Sequence, residues 1–271
     1  MGRYIDISTS SGETFAAYLA EPAQGSGPGL VLLQEIFGIN DYMREMADRY
    51  AEEGYVVLVP DLFWRSGARQ ELGYDQAGFT RGLELRDELD EDLSITDIGD
   101  TVTALRGLTN HVGGVGLIGY CLGGLLAYLS AVRLDVDCAI SYYGVGVHDH
   151  LDEATQLAVP VVFHLAELDS YCPEDARNSI RKAFDGNDGS GSTTTPASIM
   201  PSPPTAGMST SRFPQVWPTR APSRCCAPPS APDTTCLHSG TGISSTSSRP
   251  GTYPPPWPLW STNLTSTTSR R

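Results

Sequence analysis

The sequence has no run of about 18 consecutive apolar residues, the length a helix needs to cross the hydrocarbon core of a bilayer. Its first ten residues, MGRYIDISTS, hold no apolar stretch of the kind that leads a secreted chain. Asp6 stands where a myristoylation signal carries Ser or Thr. Basic residues are few and unclustered: 18 Lys and Arg stand against 32 Asp and Glu, a formal net charge of −14. Binding to polyanions requires a basic footprint, so nucleic acid and anionic membrane are excluded as partners. The six cysteines form no C-x-x-C pair, and a chain of this length can build a core without disulfides. These absences predict a cytoplasmic protein with free thiols.

Acidic residues and lysine also vanish abruptly along the chain. From residue 190 to 271 there are no lysines and a single acidic residue, Asp233, while 46 of the 82 residues are Ser, Thr or Pro. Such a segment buries too little apolar surface to offset its ordering entropy. Residues 1–189 carry a net charge of −19 and the remainder +5. The expected organisation is one folded domain, 1–189, followed by an irregular tail, 190–271.

Within 1–189, apolar runs alternate with helical patterns. RYIDIST and ETFAAYLA read as a hairpin around SSG. GLVLLQE, YVVLVPD, GVGLIGY, DCAISYYG and VPVVFHLAE read as buried, largely parallel strands. DYMREMADRYAEEG, LSITDIGDTVTALRGL and LLAYLSAVR space their apolar residues as helices do, and PEDARNSIRKAF opens with Pro at a helix start. This predicts an α/β open sheet with helices on both faces and functional loops at the carboxyl ends of the strands.

The segment Gly119-Tyr120-Cys121-Leu122-Gly123-Gly124 lies between a strand and a helix. It has the form G-x-nucleophile-x-G, in which small flanks permit a strained turn that lifts the nucleophile above the sheet. The helix after it starts at the cysteine, so its N-terminal dipole and free N–H groups favour a thiolate and a developing oxyanion.

Together with LLQEIFGIN, GYVVLVPDLF, SYYGVG and HLAELDSYCP, the motif GLIGYCLGG makes residues 4–184 resemble the dienelactone hydrolases (carboxymethylenebutenolidases) of the α/β-hydrolase superfamily. The resemblance implies Cys121 as nucleophile and Asp169 as the acid that orients a catalytic histidine. It implies Glu35 as the carboxylate partnering the resting thiol, and the backbone N–H groups of Ile36 and Leu122 as the oxyanion hole. The family's substrate-anchoring arginines do not map cleanly; Arg81 or Arg86 could approach the pocket.

Other polar residues read differently. Asp61 in VPDLF is a turn-former, and His164, inside an apolar strand, a core histidine. His148 and His150 form an H-x-H on a loop that is expected to be solvated rather than metal-bound. No cofactor or metal is expected, and a monomer is favoured.

The catalytic histidine is missing. The family pattern Y-P-G-x-x-H-x-F is expected soon after residue 189, but the sequence there is STTTPASIMPS, and the next histidine is His238. Read one base earlier, the codons for Ser192 to Ser202 permit the string E-H-H-Y-P-G-V-D-H-A-F, which contains that pattern. The tail therefore reads as a frameshifted product, and the sheet is expected to lack its last strand and closing helix. The implied function is cysteine-dependent hydrolysis of a small lactone or ester. A broad-range cysteine esterase or thioesterase, and a catalytically impaired relative, are the alternatives.

Overall fold

The computed structural model describes residues 2–185 and the backbone of 190–195; the rest of the expected tail, His238 included, lies outside the described residues. The elements are β1 (Arg3–Ser8), β2 (Thr14–Ala20), β3 (Gly27–Leu33), α1 (Asp41–Glu52), β4 (Val56–Pro60), α2 (Gln76–Glu88) and α3 (Glu91–Arg106). They continue with β5 (His111–Tyr120), α4 (Leu122–Arg133), β6 (Cys138–Tyr142), β7 (Val161–Ala166), α5 (Glu174–Phe184) and β8 (Ser190–Thr195). The strand order is β1-β2-β4-β3-β5-β6-β7-β8. From β4 to β8 every pairing is parallel, and β2 runs antiparallel to both of its neighbours.

Period-two alternation in the strands sends side chains to two separate cores. Phe15, Ala17, Leu19, Val31, Leu33, Leu58, Leu117 and Phe163 pack under α3, α4 and α5. Tyr18, Leu30, Leu32, Val57, Val59, Ile118 and Ile140 pack against Met43, Met46, Ala47 and Tyr50 of α1. Helices thus cover both faces, as the alternating pattern predicts.

β8 differs from the expectation that residue 190 begins irregular chain and that the last strand is lost. Its backbone pairs in register with β7, from Val161 opposite Ser190 to Ala166 opposite Thr195. β-branched threonine suits an extended edge, and the β7 edge supplies backbone partners whatever the side chains are. The closing helix falls outside the described residues.

The helix α2 carries no clear amphipathic signal and has glycines at 78 and 82; propensity alone speaks against it. It forms because Asp75 caps it, accepting from the Gly78 N–H at 2.7 Å, and because both glycines are sites of close approach. A Cβ on Gly82 would lie 2.5 Å from the Ile36 carbonyl oxygen, and one on Gly78 would lie 1.9 Å from that of Gly73.

The chain goes from β3 outward to β4, then returns across β3 to β5. That reversal makes the carboxyl ends of β3 and β5 a topological switch point, where open α/β sheets bind ligands. Glu35 lies just after β3 and Cys121 just after β5.

Candidate active site

Cys121 caps α4 with φ +55° and ψ −114°. This is a left-handed backbone that a non-glycine residue adopts only when the surrounding structure enforces it. The enforcement is visible in the neighbouring hydrogen bonds. The Cys121 N–H donates to the Tyr142 carbonyl at 3.0 Å, and the Cys121 carbonyl accepts from Gly124 at 3.0 Å and Val145 at 3.3 Å. The glycines permit the contacts: a Cβ on Gly119 would fall 1.8 Å from the Gly123 carbonyl oxygen, and one on Gly123 would fall 2.4 Å from that of Leu33.

The thiol is buried, 6% exposed. Burial pushes it well above the ordinary cysteine range, the charges of Glu35 and Asp169 push it further, and the Leu122 N–H and the charge of Arg86 pull it back. The fold therefore brings Cys121, Glu35, Asp169 and the Leu122 N–H into one electrostatic neighbourhood. Among the described residues, neither the Leu122 nor the Ile36 N–H donates to a backbone carbonyl.

Glu35 is 3% exposed. Burial raises its carboxyl, and two phenols offset part of that rise. Tyr74 donates to Oε2 at 2.8 Å and Tyr143 to Oε1 at 3.3 Å. Neither tyrosine was distinguishable in the sequence as a partner of Glu35: Tyr143 sits in SYYGVG without a marked role, and Tyr74 lies in an unpatterned loop. Tyr143 has φ +40°, a second left-handed residue beside the elbow.

Asp169 lies on the loop after β7 and is 5% exposed. Its Oδ1 accepts from the Tyr171 N–H at 2.8 Å. Its Oδ2 is buried and has no hydrogen-bond partner among the described residues. Burial raises its carboxyl, while the N–H groups of Tyr171 and Cys172 and the charge of Arg177 lower it.

The two candidate arginines separate. Arg86, on the last turn of α2, bears on the Cys121 thiol through its charge; it also pairs with Asp87 at 3.3 Å. Arg81 lies five residues earlier, pointing elsewhere on the helix, and pairs with Glu84 at 2.9 Å and Glu88 at 3.6 Å. The described histidines are engaged elsewhere. His164 stacks on Tyr142 with ring centroids 4.3 Å apart. His150 reaches Glu91 at 3.4 Å, His148 reaches Asp149 at 3.6 Å, and His111 contacts the Gly114 carbonyl at the opposite end of β5. Asp61 is fully buried and folds its own loop, accepting from the N–H groups of Phe63 and Arg69.

Comparisons with known proteins identify the family. Residues 15–190 match the dienelactone hydrolase family. Over 185 residues the chain is 39% identical to a carboxymethylenebutenolidase of Pseudomonas sp. (strain P51), covering 68% of this chain and 77% of that protein. It is 34% identical over 184 residues to carboxymethylenebutenolidase 1 of Cupriavidus pinatubonensis, covering 68% and 79%. The fold superposes on a dienelactone hydrolase-like promiscuous phosphotriesterase from metagenomic libraries with a TM-score of 0.63 at 18% identity, covering 74% of this chain and 83% of that one. The chain belongs to the dienelactone hydrolase family and is a hydrolase of the α/β fold.

Proposed function

We propose that this chain hydrolyses a small lactone or ester of the dienelactone type through a thioester on Cys121. The observation that carries the reading is the Cys121 backbone, left-handed at φ +55° between a parallel strand and a helix. In this reading the strained turn lifts the nucleophile over the sheet.

In the proposed reaction the Cys121 thiolate attacks the acyl carbonyl carbon. A C–S bond forms as the carbonyl electron pair moves to oxygen, which the Leu122 and Ile36 N–H groups stabilise. Collapse breaks the acyl C–O bond, and the departing oxygen takes up the proton that the thiol gave up on becoming a thiolate. Water then adds to the thioester, releasing the carboxylic acid and restoring the thiol. Glu35 stands beside the thiol as its resting-state partner. Asp169 is the acid that orients a histidine for the proton transfers. Arg86 is the candidate to meet an anionic group on the substrate. Support for the substrate class comes from the relatives named carboxymethylenebutenolidase.

A specific observation favours a second reading, a catalytically impaired relative: Asp169 Oδ2 has no partner among the described residues. Intact-protein mass spectrometry after incubation with a nitrophenyl ester or an unsaturated lactone tests both. Acyl mass on Cys121, absent in Cys121→Ala, is expected. Acylation without turnover selects the impaired reading, and undiminished turnover by Cys121→Ala overturns the nucleophile.

A further inference from the structure

The segment 61–75 runs from the end of β4 to the start of α2 and is bound to the molecule along its length. At its start, Asp61 Oδ1 accepts from the Phe63 N–H at 3.1 Å and Oδ2 from the Arg69 N–H at 2.6 Å. Trp64 Nε1 donates to the buried Asp97 on α3 at 2.9 Å, and Arg65 donates to both oxygens of that carboxylate. Further on, Glu71 pairs with Arg44 of α1 at 2.7 Å and bridges to Gly38. The Leu72 N–H donates to the Phe37 carbonyl at 2.9 Å, and the Asn40 side chain, which caps α1, donates to the Leu72 carbonyl at 3.3 Å. The strap ends on Tyr74, whose ring lies 4.4 Å from that of Phe37.

The second half of the strap is thus fastened to Phe37, Gly38 and Asn40, in the loop that carries Glu35. We propose that Tyr74 is a positioning residue: the strap delivers its hydroxyl to Glu35 Oε2, fixing the carboxylate's orientation beside Cys121 and favouring its charged form. The inference rests on the reading of Cys121 as nucleophile with Glu35 as its partner.

Geometry sets the division of labour. A buried carboxylate must be hydrogen-bonded to stay charged, and among the described residues no cation contributes to Glu35. The groups facing it are Tyr42 from α1, Tyr74 from the strap, Tyr143 after β6 and the Cys121 thiol. Of these, the two that donate to it are phenols, and Tyr74 makes the shorter bond, 2.8 Å against 3.3 Å. Its hydroxyl cannot compete as an acid, because burial and the Glu35 charge hold it well above the tyrosine range.

The test is the Glu35 ionisation midpoint in the full-length chain, monitored by carbon-13 carboxyl NMR and assigned with Glu35→Gln. Tyr74→Phe keeps the ring and removes only the donor. It is expected to move the midpoint up by about one pH unit, the equivalent of one charge-assisted hydrogen bond. Tyr143→Phe should move it up by less. An unmoved midpoint in Tyr74→Phe overturns the proposal, because a merely structural tyrosine would change the melting temperature and leave the titration alone. In the unsubstituted chain the Tyr74 hydroxyl proton should exchange far more slowly than that of exposed Tyr171; equal exchange rates overturn the proposal without any variant. Neither measurement depends on turnover, so their failure is distinct from failure of Cys121 to acylate.

Discussion

Glu35 and Asp169 are both buried carboxylates whose charge reaches the Cys121 thiol, yet the fold completes one and leaves the other open. Glu35 has a phenol on each oxygen. Asp169 has backbone donors, including Tyr171 on Oδ1, and a buried Oδ2 without a described partner. A buried polar atom left unpaired costs about 1–3 kcal/mol, so such an atom persists where something else is meant to donate to it. In the proposed acyl-transfer site that donor would be an imidazole N–H. The contrast teaches that the Glu35 half of the site is completed by residues before 145, whereas Asp169 Oδ2 has no donor among the described residues.

The largest effect should come from supplying that donor. A chain in which residues 192–202 are replaced by E-H-H-Y-P-G-V-D-H-A-F, with the shifted-frame continuation after it, should hydrolyse lactone faster than the unaltered chain. The expected gain is on the order of 10⁴ to 10⁶, since triad members act as a unit. Equal rates would break the comparison. In that rebuilt background, Asp169→Asn should remove most of the gain, about 10⁴-fold, by losing the correct imidazole tautomer; in the unaltered chain it should change the rate little.

Next in size is the elbow. Gly119→Ala drives a Cβ to within 1.8 Å of the Gly123 carbonyl oxygen, backbone that cannot give way. The expected result is several kcal/mol of destabilisation, a large part of a total of about 5–15 kcal/mol. Chemical denaturation reads this directly, and a small loss would mean that the turn is looser than its contacts imply.

The smallest effect is on stability against pH. Burial raises the Asp169 carboxyl above its ordinary value, so the folded state binds that proton more tightly than the unfolded chain does. The contribution is fully present below the unfolded value near 3.8 and is lost as pH rises through the raised folded value. In the unaltered chain, Asp169→Asn should therefore melt a few degrees higher than its parent at pH 7, with the difference closing below about pH 4. Thermal melts across that range check it. A lower melting temperature at pH 7 would show that Oδ2 is already satisfied.

Much of the fold is readable along the chain. The strands from β1 to β7 and the helices α1, α3, α4 and α5 obey apolar periodicity and end signals. The elbow is legible because Cys121 and its glycines are contiguous in sequence. α2 is not legible, because its glycines reflect contact with Ile36 and Gly73 rather than local preference. β8 is not legible either, because its Ser and Thr residues signal nothing by pattern and pair only where the β7 edge awaits them.

By itself the sequence determined the α/β alternation, the position of a cysteine at a strand-to-helix turn, and the compositional break near residue 190. All three depend on neighbours within a few residues. Tertiary structure alone decided which polar groups meet. Tyr74, Tyr143 and Glu35 come from three separate loops, and Arg86 on α2 bears on the thiol. The physical reason is that burial and hydrogen bonding are set by distances across the switch point of the sheet, and no local spacing in the chain encodes those distances.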